Sequence, residues 1–134
     1  MTVREDVGDV VLRYARGVDR RDWDLVRACF ADEATVEGSR FSGPVDEYLA
    51  MLRPGVEAFP TTMHFMGNQL VEIEGDRAST ETYAIAHHFA DPEGRDERIV
   101  MGVRYLDDLE RRDGRWVIVH RRAVSDWIRE SEAP

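Results

Sequence analysis

The fold turns on residues 63–89, which read Met63-His64-Phe65-Met66-Gly67-Asn68-Gln69-Leu70-Val71-Glu72-Ile73-Glu74-Gly75-Asp76-Arg77-Ala78-Ser79-Thr80-Glu81-Thr82-Tyr83-Ala84-Ile85-Ala86-His87-His88-Phe89. Residues 63–74 and 78–89 alternate with period two, the period of a strand. Gly75-Asp76 between them is a hairpin turn signal. Toward the C-terminus the pattern repeats: residues 98–110 and 115–127 flank Asp113-Gly114, a second hairpin signal. Toward the N-terminus the period becomes helical. Thr2 and Glu5 have capping-box spacing, and Val7, Val10, Val11, Tyr14, Ala15 and Val18 recur at i, i+3, i+4 intervals. A second helix is expected from Asp22, with Leu25, Val26, Cys29 and Phe30 on one side. A third is expected from Gly43-Pro44, with Val45, Tyr48, Leu49 and Leu52 as its stripe and Pro54-Gly55 as its stop. Residues 34–37 read as a short edge strand. Helices followed by a strand meander define an α+β fold, an antiparallel sheet with helices on one face. A sheet curled around its helices tends to enclose a cavity.

The chain has 134 residues, the size of one domain. A single domain over residues 1–130 with a frayed tail at 131–134 is expected. There is one cysteine, Cys29, which excludes an internal disulfide. The 27 acidic residues outnumber 18 basic ones, for a net charge of −9. Such a surface repels phosphate backbones and anionic lipid, so neither nucleic acid nor membrane is expected as a partner. Every basic residue is arginine. Without lysine there is no Schiff-base chemistry and no P-loop. No apolar run reaches membrane-spanning length, and the acidic start Met1-Thr2-Val3-Arg4-Glu5-Asp6 does not read as a signal peptide. A cytoplasmic location follows as the expectation. No His-x-x-x-His, Cys-rich, Gly-x-Ser-x-Gly or Gly-x-Gly-x-x-Gly spacing occurs, so neither a metal nor a cofactor is expected.

The stretch Tyr14-Ala15-Arg16-Gly17-Val18-Asp19-Arg20-Arg21-Asp22-Trp23-Asp24 is a helix ending in Asp, a short turn and an Asp-Trp-Asp start. It resembles the SnoaL-like branch of the NTF2-like superfamily. Phe30-Ala31-Asp32-Glu33-Ala34, Phe41-Ser42-Gly43-Pro44, His64 with Asn68, Glu74-Gly75-Asp76-Arg77-Ala78 and the last hairpin around Asp113-Gly114 resemble it in the same order. The resemblance implies an NTF2-like cone, three N-terminal helices packed in a curved, mostly antiparallel sheet with an apolar pocket. The superfamily hosts dehydratases, a dehydrochlorinase, isomerases, cyclases and binding subunits, so activity has to be argued from the site.

In scytalone dehydratase and hexachlorocyclohexane dehydrochlorinase, members of this superfamily, the position matching His64 is the general base and that matching Asp19 orients it. A histidine titrating near neutrality suits proton abstraction, and a carboxylate on one ring nitrogen fixes its tautomer. Asp19 also sits at the unfavourable end of a helix dipole, which weakens a purely structural reason for it. Tyr14 stands where the dehydrochlorinase has lysine and where a bile-acid 7α-dehydratase family has tyrosine. It reads either as a stripe aromatic or as a proton donor to a leaving oxygen. Arg121 matches the superfamily's inward arginine; it reads either as support for a leaving anion or as half of an ion pair with an acidic loop.

Alternation places Val117, Val119, Arg121, Ala123 and Ser125 on one face, and Thr80, Thr82, Ala84, Ala86 and His88 on another strand's inner face. His88 is preferred to His87 as the pocket histidine, with a bulge able to reverse them. Met101, Val103 and Tyr105 are expected opposite Ala84 and Ala86, with Phe41, Leu49 and Phe59 near the mouth. These walls suit a small, apolar, ring-containing ligand. The apolar outer residues Tyr83, Ile85 and Phe89 point to a homodimer or homotrimer. The expected function is a cofactor-independent lyase or isomerase, foremost a dehydratase of a hydroxy-carbonyl or phenolic compound. A polyketide cyclase using an intramolecular aldol step and a non-catalytic binding module are the alternatives.

Overall fold

A computed structural model describes residues 2–131. Its elements run α1 (Val3–Asp19), α2 (Trp23–Ala28), β1 (Phe30–Glu37), β2 (Ser42–Pro44), α3 (Val45–Glu57), β3 (Thr61–Glu74), β4 (Arg77–Phe89), β5 (Glu97–Arg112) and β6 (Arg115–Glu130). This is an α+β fold with one six-stranded sheet in the order β2-β1-β6-β5-β4-β3. All neighbours are antiparallel except β1 and β6, which are parallel. Two strands stand between the second and third helices, so the helices do not form one N-terminal block.

Helix α1 forms for local reasons. Thr2 and Glu5 close a capping box, with Glu5 N–H donating to Thr2 Oγ1 at 3.1 Å. Its stripe of Val7, Val10, Tyr14 and Val18 is buried against the sheet, in one core with Val26, Phe30, Leu109 and Ile118. Both hairpins turn where expected. Asp113 and Gly114 have φ of 53° and 75°, the two left-handed residues of a type I′ turn. Gly75 alone has positive φ in the other turn, which fits type II′.

Several expectations need correction. Residues 34–37 belong to a longer strand, β1, that lies inside the sheet; β2 is the edge. Phe30 is therefore a strand residue and not the end of α2. Pro54 does not stop α3, which runs on to Glu57. The helix makes one more turn beyond it, and Ala58 N–H donates to the Pro54 carbonyl at 3.0 Å. β6 ends at Glu130, which is paired with Ile99, and Ser131 N–H donates to the Arg98 carbonyl at 2.8 Å. The rest of the expected tail, residues 132–134, lies outside the described residues. On β6 a bulge lies between the Asp108–His120 and Leu109–Ile118 pairs. It reverses the alternation, so Ile118, not Val117 or Val119, shares the inner face with Arg121, Ala123 and Ser125.

Candidate active site

Asp19 is the last residue of α1, and His64 lies near the start of β3. Their side chains meet: His64 Nδ1 is 2.8 Å from Asp19 Oδ1. The backbone N–H of His64 donates to Asp19 Oδ2 at 2.7 Å, and the Thr62 hydroxyl donates to Oδ1 at 3.0 Å. Burial pushes the Asp19 carboxyl up, but the bonds and charge from His64, with the Thr62 hydroxyl, outweigh it and hold the carboxyl below its ordinary value. An ionised carboxylate only accepts, so His64 Nδ1 carries the proton. That leaves Nε2 as the basic nitrogen, on a side chain that lines a cavity.

The cavity has a volume of about 280 Å³. Tyr14, Val18, Ala86, Val103 and Tyr105 form its inner wall, and Tyr48, Leu52 and Val56 of α3 face them. Phe41, Met101, Ala123, Ser125 and the Gly38-Ser39-Arg40 turn reach its walls and rim. His88 also lines it, with its Nδ1 donating to the Ile99 carbonyl at 3.3 Å. Burial lowers the His88 pKa, with the Ile99 bond opposing in part. His87 points to the other face, where it pairs with Glu97. Three expected wall residues are elsewhere. Leu49 packs into the core, Ala84 is buried between Met66 and Val103 in the sheet, and Phe59 sits behind His88 with ring centroids 5.2 Å apart.

Arg121 faces inward but does not line the cavity. It is 0% exposed and makes a bidentate pair with Asp107, Nε to Oδ1 at 2.7 Å and Nη2 to Oδ2 at 2.9 Å. The partner is a strand residue directly opposite it, not an acidic loop. The rings of Tyr14 and Tyr105 cover the guanidinium at 4.0 and 4.2 Å. Arg121 therefore supports two cavity-lining phenols from behind. Tyr14 is 2% exposed, and its phenol is pushed well up by burial and by the neighbouring Tyr48 and Tyr105. It stays protonated at neutral pH, a neutral hydrogen-bond donor.

Tyr48, Thr62, Asp107 and Arg21 are the site residues that sequence reasoning did not single out. Tyr48 was visible as part of the α3 stripe. Asp107 could have been found as the cross-strand partner of Arg121 once the bulge was known. Among the described residues no helix is long and apolar enough to cross a membrane.

An uncharacterized protein of Mycobacterium tuberculosis is 24% identical over 121 residues, 88% of this chain and 82% of that protein. Among solved structures, a putative scytalone dehydratase from Novosphingobium aromaticivorans superposes with a TM-score of 0.81 at 18% identity, over 97% of this chain and 88% of that one. A hexachlorocyclohexane dehydrochlorinase from Novosphingobium barchaimii superposes with a TM-score of 0.78 at 16% identity, over 98% of this chain and 91% of that one. Those likenesses are likenesses of fold. The SnoaL-like domain matches residues 1–122, from α1 into β6, and on that match this chain belongs to the SnoaL-like domain family.

Proposed function

We propose that the protein is a cofactor-independent lyase or isomerase, a dehydratase foremost, acting on a small apolar ring compound that carries a hydroxy-carbonyl or phenolic group. The observation that carries this reading is the Asp19–His64 contact at the cavity wall, 2.8 Å between Oδ1 and Nδ1 with the second carboxylate oxygen held by a backbone N–H. His64 Nε2 takes a proton made acidic by a neighbouring carbonyl or ring, and Asp19 stabilises the imidazolium that forms. Tyr14 donates its proton, or a hydrogen bond, to the oxygen that gains charge or leaves. Arg121 holds Tyr14 in place and does not itself touch substrate.

The same arrangement disfavours halide elimination. A departing chloride gains most from a free cation, and Arg121 is committed to Asp107. The near-neutral, apolar wall suits a ring, and a volume of about 280 Å³ suits a small one.

The test is a screen of hydroxy-carbonyl and phenolic ring compounds for loss of water by mass spectrometry, with binding measured in parallel. Asp19→Asn should abolish most turnover of any hit while its affinity survives. Turnover unchanged in Asp19→Asn, or ligands bound and never converted, would leave a binding module in place of an enzyme.

A further inference from the structure

Asp19 and His64 end a longer hydrogen-bonded chain that begins at Arg21. Arg21 follows the last turn of α1 in a Schellman arrangement. Its N–H donates to the Val18 carbonyl at 3.1 Å, and the Asp22 N–H donates to the Gly17 carbonyl at 2.8 Å. Its φ is +59°, the left-handed region where helices usually place glycine. A strained arginine at a glycine position points to a use for its side chain.

The guanidinium has several partners. Nη2 donates to the Phe59 carbonyl at 2.6 Å, and Nη1 to the Asp19 backbone carbonyl at 3.2 Å and to Thr62 Oγ1 at 2.7 Å. A guanidinium only donates. Thr62 Oγ1 therefore accepts from Arg21, and its single proton turns to Asp19 Oδ1, 3.0 Å away. Asp19, ionised, accepts from Thr62 and from His64 Nδ1. Each bond along the chain has one permitted direction: the guanidinium at one end only donates, and the carboxylate at the other only accepts.

We propose that Arg21 is a positioning residue which, by filling the acceptor of Thr62 Oγ1, keeps the Thr62 proton on Asp19 Oδ1 and so holds in place the charged carboxylate that sets the His64 tautomer. The proposal rests on the Asp–His reading of the site. Arg21 makes no ion pair with the Asp19 carboxylate, so Thr62 is the link. A mere brace between the end of α1 and the Phe59 carbonyl would affect stability and nothing else.

The test uses the full isotope-labelled chain and three variants. Thr62→Val keeps shape and strand preference while removing the link. Arg21→Gly removes the guanidinium while relieving the left-handed backbone. Thr62→Ser restores the hydroxyl. Ring nitrogen shifts of His64 report its tautomer, and the Asp19 side-chain carbon reports its titration. His64, His88, Tyr105 and Arg21 are the titratable or charged groups around Asp19, and only Arg21 is altered in this set.

Wild type should show the Nδ1–H form and an Asp19 midpoint below the ordinary carboxylate range. Thr62→Val and Arg21→Gly should each raise the Asp19 dissociation midpoint by about half a unit, ~threefold in its acid constant, while His64 keeps its proton on Nδ1 wherever Asp19 is ionised. Thr62→Ser should return the midpoint to wild type. Folded Thr62→Val protein with the wild-type Asp19 midpoint overturns the proposal and leaves the dyad standing; should Arg21→Gly not fold, Thr62→Val alone decides. A wild type in which His64 carries its proton on Nε2 overturns the dyad and the relay together.

Discussion

Asp19 sits at the C-terminal end of a helix, where the dipole repels a carboxylate, yet it accepts three hydrogen bonds there. Replacing its oxygen by an amide nitrogen puts a donor against the His64 N–H or Nδ1–H. Asp19→Asn should therefore lower turnover by about 10²–10⁴ with little change in ligand affinity. The same carboxylate links activity to acid stability. Its folded pKa lies below its unfolded one. It therefore contributes stability that is fully present above the unfolded value, about pH 4, and is lost as pH falls through the folded one. Urea unfolding across that range should show a shallower acid limb in Asp19→Asn than in wild type. Tyr14→Phe should cut turnover by about 10²-fold or more and leave the fold intact, because the ring still covers Arg121. Unchanged kinetics would make Tyr14 a wall, with Tyr48 and Tyr105 the remaining phenols at the cavity. Asp19 and His64 were legible through the resemblance of their surroundings to the SnoaL-like family, and their side chains meet; Tyr14 was legible as a residue of the helix stripe. Arg21 was not, since a residue in the left-handed conformation after a helix is signalled by glycine, and here arginine holds the place.

At the scale of elements, the crossing of α1 and α2 sets where Asp19 ends up. Gly17 allows the close approach: a methyl group there would lie 2.7 Å from Val26 Cγ2 and 3.2 Å from the Asp22 carbonyl oxygen. Part of that clash is with backbone, which does not rotate away. Gly17→Ala should destabilise the fold by about 1–3 kcal/mol, read by denaturant unfolding, and weaken the Asp19–His64 contact with it. Both hairpins were readable because Gly75 and Asp113-Gly114 supply the positive φ that their turns need. The bulge on β6 was not readable. No glycine or proline marks it, and it arises where the strand must serve the parallel partner β1 and the antiparallel partner β5 together. Its effect is functional, since it brings Arg121 opposite Asp107 and takes Val119 off the inner face. The continuation of α3 through Pro54 was not readable either, since a proline inside a helical pattern reads as a stop and the helix makes one more turn past it.

For the whole molecule, the inner face of the sheet is used by the helices and the cavity, and the outer face is left with unusual apolar exposure. Phe65, Ile85, Gly102 and Trp127 lie in one row across β3, β4, β5 and β6. Phe65 is 66% exposed and Trp127 43%, and the Trp127 indole lies over Gly102 where no side chain intervenes. Beside them, Arg104 and Asp126 neutralise each other in a bidentate pair at 2.7 and 2.9 Å. Two copies of a chain with net charge −9 repel each other over most of their surfaces. This neutral, apolar strip is the place where a second copy can approach without that cost, and a two-fold axis through it would lay each Phe65 against its partner's row. Sedimentation should show a dimer or larger species for wild type. A Phe65→Glu, Trp127→Glu double variant should be monomeric while keeping the His64 tautomer, because neither residue reaches the cavity. A monomeric wild type at high micromolar concentration would mean that the outer face has no partner of its own kind, and a variant that remains oligomeric would move the interface to another surface.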